Sequence, residues 1–309
     1  MSRLLAYFQL CRFAAVFTAL ADIFLGYALA HRTLQADPQL GWLLLASAGL
    51  YLSGMVFNDV FDRKIDAAER PKRPIPSGRV SLQSAIVLGS VLLLAGLTAA
   101  AMAGLASLMI AVVLVVLILA YDGGLKKNII LGPLCMGGCR LFNVLLGVSA
   151  AANLLLSKEE WVPRIFSMPQ LLAAGGLATY IFGVTWFARN EAGLSRRSQL
   201  WIGIAFIDLG LALLASLVLF WRHPDFADTG WRAAIILGFI AFNLNRRLID
   251  VVGSPSSAQV QTGVRTLLLS IITIDAAIVF FMTGDFVHAA GVLCLLIPAI
   301  LMGKALAIT

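Results

Sequence analysis

Charge is scarce in this chain. Only 13% of its 309 residues are Asp, Glu, Lys or Arg, against about 25% in soluble domains. Hydrophobic residues make up 60%, and the mean hydropathy is +0.92. That shortage excludes a soluble globular protein and leaves an integral membrane protein. Histidine is nearly missing: His31, His223 and His288 all fall in loops on one side, away from the acid-rich segments. Histidine acid–base catalysis and histidine-ligated zinc are thereby excluded. The four cysteines, Cys11, Cys135, Cys139 and Cys294, lie inside apolar stretches and read as small packing residues. No polar stretch is long enough for a soluble domain. The first apolar run is too long for a removable signal peptide and lacks an A-x-A-like cleavage site. The net charge of +7 sits at the ends of apolar segments, so it does not indicate nucleic-acid binding.

Apolar runs, in contrast, fill the chain. A bilayer core needs about 20 mainly apolar helical residues. Ten stretches qualify: 4–30, 40–59, 82–103, 105–121, 128–153, 169–188, 198–221, 231–248, 262–283 and 286–307. The third and fourth adjoin, with Gly104 as the expected break. With the N-terminus inside, seventeen Lys and Arg fall on the inner side and five on the outer, while Arg140 lies within a span. This asymmetry predicts a protein of the cytoplasmic (inner) membrane with both termini and the basic loops facing the cytoplasm. The sequence therefore predicts an all-α polytopic bundle, one domain over 1–309. The longest polar segment, 62–80, contains Pro71, Pro74, Pro76 and Gly78 and reads as a turned, non-helical cap loop.

Acids and bases gather where the second span ends, in Asn58-Asp59-Val60-Phe61-Asp62-Arg63-Lys64-Ile65-Asp66. At about 100° per residue, Asn58, Asp59, Asp62 and Asp66 project from one quarter-turn of a continued helix. Four hard oxygen donors on one face suit a magnesium ion shared with a phosphate. Arg63, Lys64, Arg70, Lys72, Arg73 and Arg79 follow, as bases that hold an anion. A solvated loop of orientation charges is the blander reading, and it does not account for the shared face. Tyr121-Asp122-Gly123-Gly124-Leu125-Lys126-Lys127 follows the fourth span and Arg189-Asn190-Glu191 the sixth. With the acidic segment, Lys126, Lys127, Arg246 and Arg247 together make an anion cradle, although each alone reads as an orientation charge. Within the spans, Asp22, Asp208 and Asp275 are costly charges that should face the bundle interior, with Arg12 or Arg140 as partners. Arg140 and Asn143 share one face of the fifth span and are expected to line an acceptor cavity. Gly137, Gly138 and Gly147 on that span predict close helix packing.

The run Asn58-Asp59-x-x-Asp62-x-x-x-Asp66 with Arg70-Pro71-x-Arg73-Pro74-Ile75-Pro76-Ser77-Gly78 resembles the first aspartate-rich motif of the UbiA superfamily of intramembrane prenyltransferases. Tyr121 with Lys126 and Lys127 resembles that family's element between the fourth and fifth spans. The resemblance implies a ring-like bundle of about nine or ten helices around a central cavity, the last helix being an addition. It implies magnesium-dependent transfer from an allylic prenyl diphosphate to a small-molecule or lipid acceptor. Asp59, Asp62, Lys126 and Glu191 would be catalytic. Asn58, Asp59, Asp62, Asp66 and Glu191 would hold metal. Asn58, Asp66, Arg70, Arg73, Tyr121, Lys127, Arg140, Asn143 and Asn190 would hold substrate. The chain departs from the family after the sixth span, where Asn190 and Glu191 stand in place of a second aspartate-rich motif, and it resembles divergent, EboC-like members. The alternative is a non-catalytic protein of this fold that binds or transports a prenyl lipid or metabolite.

Overall fold

A computed structural model describes residues 3–151, 166–189, 195–221 and 229–306, and these are helical with short connections. The first apolar run splits. α1 (Arg3–Leu10) stops, and a short turn at Phe13–Ala15 leads into α2 (Val16–His31). The break is Arg12, which sits in the left-handed region at φ 45°. For a non-glycine residue that costs about 1–2 kcal/mol, and it aims the side chain at the end of the second span. The expected span 4–30 therefore begins only at Phe13.

α3 (Pro38–Phe61) starts on Asp37, whose Oδ1 accepts the Gln39 N–H at 3.0 Å, with Pro38 preset in the first turn. α4 (Arg63–Glu69) follows almost in line, because the N–H groups of Asp62 and Asp66 still donate to carbonyls four residues back. The sequence reading expected turned chain from residue 62 onward. No proline stands between Asp62 and Pro71, so nothing removes a helical N–H in that stretch, and the turns begin at Pro71.

α5 (Leu82–Ala103) and α6 (Leu105–Gly123) break at Gly104, whose φ of 144° only glycine adopts readily. Next come α7 (Leu131–Val148), α8 (Met168–Ala188), α9 (Arg197–Phe220), α10 (Thr229–Gly253) and α11 (Ser257–Thr283). The last run divides into α12 (Phe286–Leu293) and α13 (Leu296–Leu306). Among the described residues, nine helices are long and apolar enough to cross a membrane. The expected span 231–248 does form a helix, α10, but Arg232, Asn243, Asn245, Arg246 and Arg247 keep it out of that set. One of these polar groups joins α10 to α9: Asn245 donates to Asp208 Oδ1 at 2.7 Å.

Neighbours in the chain are mostly neighbours in space. α3 packs on α5, α5 on α6, and so on to α11, which closes on α2, itself against α3. The result is a ring of helices, and α2 also crosses it to touch α7. Outward-facing Val91, Leu94, Met109, Val116, Phe239 and Phe242 are all exposed, an apolar surface of the kind a bilayer covers.

Glycine sets the α2–α7 crossing. A Cβ on Gly26 would lie 2.2 Å from the Val144 carbonyl oxygen, and one on Gly147 2.6 Å from that of Ile23. Apolar helices gain nothing hydrophobic by associating in lipid, so this close approach supplies the contact energy. Gly147→Val is expected to destabilise the protein by about 3 kcal/mol, because backbone cannot yield as a side chain does. Gly175→Val, where a Cβ meets nothing within 4 Å, is the control expected to melt like the parent in detergent. Equal melting temperatures for both variants would show that the crossing does not hold the ring.

Candidate active site at the ends of α3 and α6

Two helix ends meet at one mouth. Asn58 Nδ2 donates to Asp122 Oδ1 at 2.7 Å and ties the last turn of α3 to the last turn of α6. Gly123 and Gly124 end α6, and Lys126 folds back to lie 2.7 Å from Asp62 Oδ1 and 3.6 Å from Asp122 Oδ1. On the other side of the same turn, Arg12 and Arg73 both reach Asp59 Oδ1 at 3.2 Å. Arg73 also reaches Asp66 Oδ2 at 2.7 Å. Asp59, Asp66 and Asp122 are buried, and buried carboxylates without such partners would be strongly destabilising.

The four donors expected on one face thus divide. Asn58 and Asp62 turn toward Asp122 and Lys126, while Asp59 and Asp66 turn toward Arg73. The cap causes the division, since its turns at Pro71 and Pro74 bring Arg73 between two carboxylates. Asp66 consequently clamps the cap. Among the described residues, no three His, Cys, Asp or Glu side chains stand close enough as placed to hold a metal ion. The donor chemistry fits magnesium all the same. Asp62 and Asp122 already share one cationic group, and every donor there is a hard oxygen.

A cavity of about 630 Å³ opens beside this turn between α1, α13 and the cap, lined by Arg12, Asp59, Arg70, Lys72, Arg73 and Arg79. Arg79 donates to Gln9 Oε1 at 2.7 Å and fastens the cap to α1. Tyr121 stands half-buried on the last turn of α6. Lys127 is exposed, and its carbonyl accepts a hydrogen bond from Arg189 at 3.2 Å. That contact brings the end of α8 to the α6–α7 turn. Asn190 and Glu191, the next residues, lie outside the described residues.

Arg140 and Asn143 are not at this mouth. Arg140 binds Asp22 at 2.6 Å, and Asn143 bonds to Asp22 and Ser47 in a buried network deeper in the ring. The mouth also contains Arg12, which the sequence gives no site role, and Asp122, which the sequence offers only as part of the 121–127 element. Asp122 had a signal, standing one helical turn before Lys126. Arg12 had none beyond its charge, since only the backbone break re-aims it. Cys11 is buried beside it, and its thiol is pushed up to about 11 by burial and then by the charge of Asp59. Iodoacetamide at about pH 8 is therefore expected to spare Cys11 until the protein unfolds, as read by peptide mass spectrometry.

Several known proteins are similar to this chain. Digeranylgeranylglyceryl phosphate synthase of Sulfurisphaera tokodaii is 32% identical over 159 residues, 52% of this chain and 55% of that protein. The chain thus spans about half the length of that relative. The synthase of the same name from Methanothrix thermoacetophila is 27% identical over 243 residues, 74% of this chain and 84% of the relative. Among solved structures, the apo form of a UbiA homolog from Aeropyrum pernix K1 matches with a TM-score of 0.67 and 20% identity, covering 85% of this chain and 96% of that one. A UbiA homolog from Archaeoglobus fulgidus bound to GPP and Mg2+ matches with a TM-score of 0.63 and 15% identity, over 85% and 99%. These two likenesses concern the fold. The sequence profile of the UbiA prenyltransferase family matches residues 19–251, most of the ring and all of the mouth but Arg12, and the chain belongs to that family.

Proposed function

We propose that the chain transfers the prenyl group of an allylic prenyl diphosphate to an acceptor held in the membrane. The observation that carries this reading is the meeting of Asn58, Asp59, Asp62 and Asp122 with Arg12, Arg73 and Lys126 at two helix ends. Acids alone would repel a diphosphate, and bases alone would hold it without a place for a metal. Asn58, Asp59, Asp62 and Asp122 would hold magnesium, with Glu191 adding a carboxylate from beyond α8. When bound, that ion neutralises negative charge growing on the departing diphosphate. Lys126 and Arg73 add charge-assisted hydrogen bonds to the same oxygens, for which each shares or leaves its carboxylate partner. The apolar wall of the ring holds the prenyl chain and keeps water from the allylic cation, so the acceptor nucleophile captures it.

The name of the Sulfurisphaera relative supports a glyceryl phosphate lipid as the acceptor class. Arg70, Lys72 and Arg79 in the cavity beside Asp59 would bind its phosphate. The charge asymmetry of the loops supports a mouth that faces the cytoplasm. The test is purified protein with geranyl, farnesyl and geranylgeranyl diphosphate, with and without magnesium and a prenylated glyceryl phosphate. Diphosphate release that requires magnesium and acceptor, together with a lipid product in mass spectrometry, is expected. Binding without release in every combination would overturn this reading in favour of a prenyl-lipid binding or transport protein.

A further inference from the structure

A second polar cluster lies deep in the ring. Ser47, its contribution from α3, precedes Asn58 by eleven residues, or about 16 Å along the helix. Arg140 Nη1 donates to Asp22 Oδ2 at 2.6 Å and to the Thr18 carbonyl at 3.1 Å. Asn143 Nδ2 donates to the same Asp22 oxygen at 2.8 Å, and Ser47 Oγ donates to Asn143 Oδ1 at 2.8 Å. Asp275 meets Asp22 from α11, the helix that closes the ring. Asp22 and Asp275 are both 0% exposed. Among the described residues, Asp22 Oδ1 and both oxygens of Asp275 have no hydrogen-bond donor.

The other ionisable groups facing the cluster do not supply the missing donor. Tyr51 comes from α3, and Tyr180 from α8 has its hydroxyl at the Leu267 carbonyl and Ser270. One guanidinium against two carboxylates leaves a net negative charge where no water reaches, at a depth where an uncompensated ion is costly. Two ionised carboxylates in contact are acceptors only and repel each other. A single proton turns one of them into a donor, provides the missing bond and brings the cluster to neutrality.

We propose that Asp22 and Asp275 jointly bind one proton inside the membrane, and that this shared proton fastens α11 to α2 and so closes the ring. The stabilisation is present while the pair holds its proton and is lost as rising pH removes it. Nothing in this depends on the reaction at the mouth, so the test uses no substrate. Infrared spectra of the full-length protein in a carbonyl-free detergent should show a protonated-carboxyl band at neutral pH. That band should be missing from both Asp275→Asn and Asp22→Asn, each of which removes the need for a shared proton. Melting of the parent in sodium-free buffer should fall from about pH 7 to about pH 10 more steeply than melting of Asp275→Asn. If one variant fails to fold, the band in the other decides. No such band in the parent, or a band unchanged in the variants, overturns the proposal. So does full recovery of parent stability at high pH on adding sodium, which would assign the position to a metal cation.

Discussion

Asp62→Ala is expected to reduce magnesium-dependent diphosphate release by at least about 100-fold, the scale of losing one group that stabilises developing charge. Of Asp59, Asp62, Asp66 and Asp122, Asp62 is the most open to an incoming ion. Its side chain is 21% exposed, against 6% for Asp59 and Asp66 and 3% for Asp122. Removing it leaves Asp122 and Asn58 in place but takes away the oxygen nearest Lys126. The fold should hardly notice. Asp62 lies at the junction of two helices where alanine is accepted, and a partly exposed ion pair is worth at most about 1 kcal/mol. Titration calorimetry with magnesium and a prenyl diphosphate, beside a melting curve, separates the two effects. Unchanged binding in a variant that melts like the parent would remove the diphosphate from this mouth. Asp66→Ala should behave in the opposite way, lowering stability and loosening the cap, because Asp66 is buried against Arg73.

The largest effect on stability is expected from Arg140→Met. Among the described residues the arginine is the only cation bonded to Asp22, and it also bonds to Thr18 through both its carbonyl and its hydroxyl, at 3.1 Å and 3.2 Å. Methionine fills the space and supplies none of those donors. Removing one partner of a buried ion pair costs about 3–5 kcal/mol, which should lower the melting temperature well below that of the parent. Arg140→Lys should recover only part of this, since an ammonium is a point charge without the fork that serves Asp22 and Thr18 together. Melting of Arg140→Met equal to that of the parent would show that the cluster contributes nothing to holding α2 and α7. In the same variant the two carboxylates need two protons rather than one, so its stability should fall more steeply as pH rises.

Hydropathy and residue type made much of this legible in the sequence. Helix formation follows from long apolar runs because backbone groups in lipid must bond within their own segment. The break at Gly104 follows from a residue with no Cβ, and close helix packing from Gly147. The acidic segment 58–66 and the bases after it could be recognised as one site because their spacing is helical. The charge partners were not legible. Which cation meets which carboxylate depends on how the cap turns after Pro71 and on the left-handed Arg12, and neither has a periodicity to read. The same holds for Asp22 and Asp275, which are more than 250 residues apart in the chain. Composition alone could say that each was too costly to face lipid.

By itself, then, the sequence determined a helical membrane protein, the break at Gly104 and the segment where the acids collect. Each of these is a property of residues within a turn or two of one another. Tertiary structure decided that Arg73 divides the acids into two sets, that Asp122 joins one of them, and that Arg140 and Asn143 serve a buried network away from the mouth. Those outcomes are contacts between helices, and they are set by ring closure and by the glycine crossing of α2 on α7.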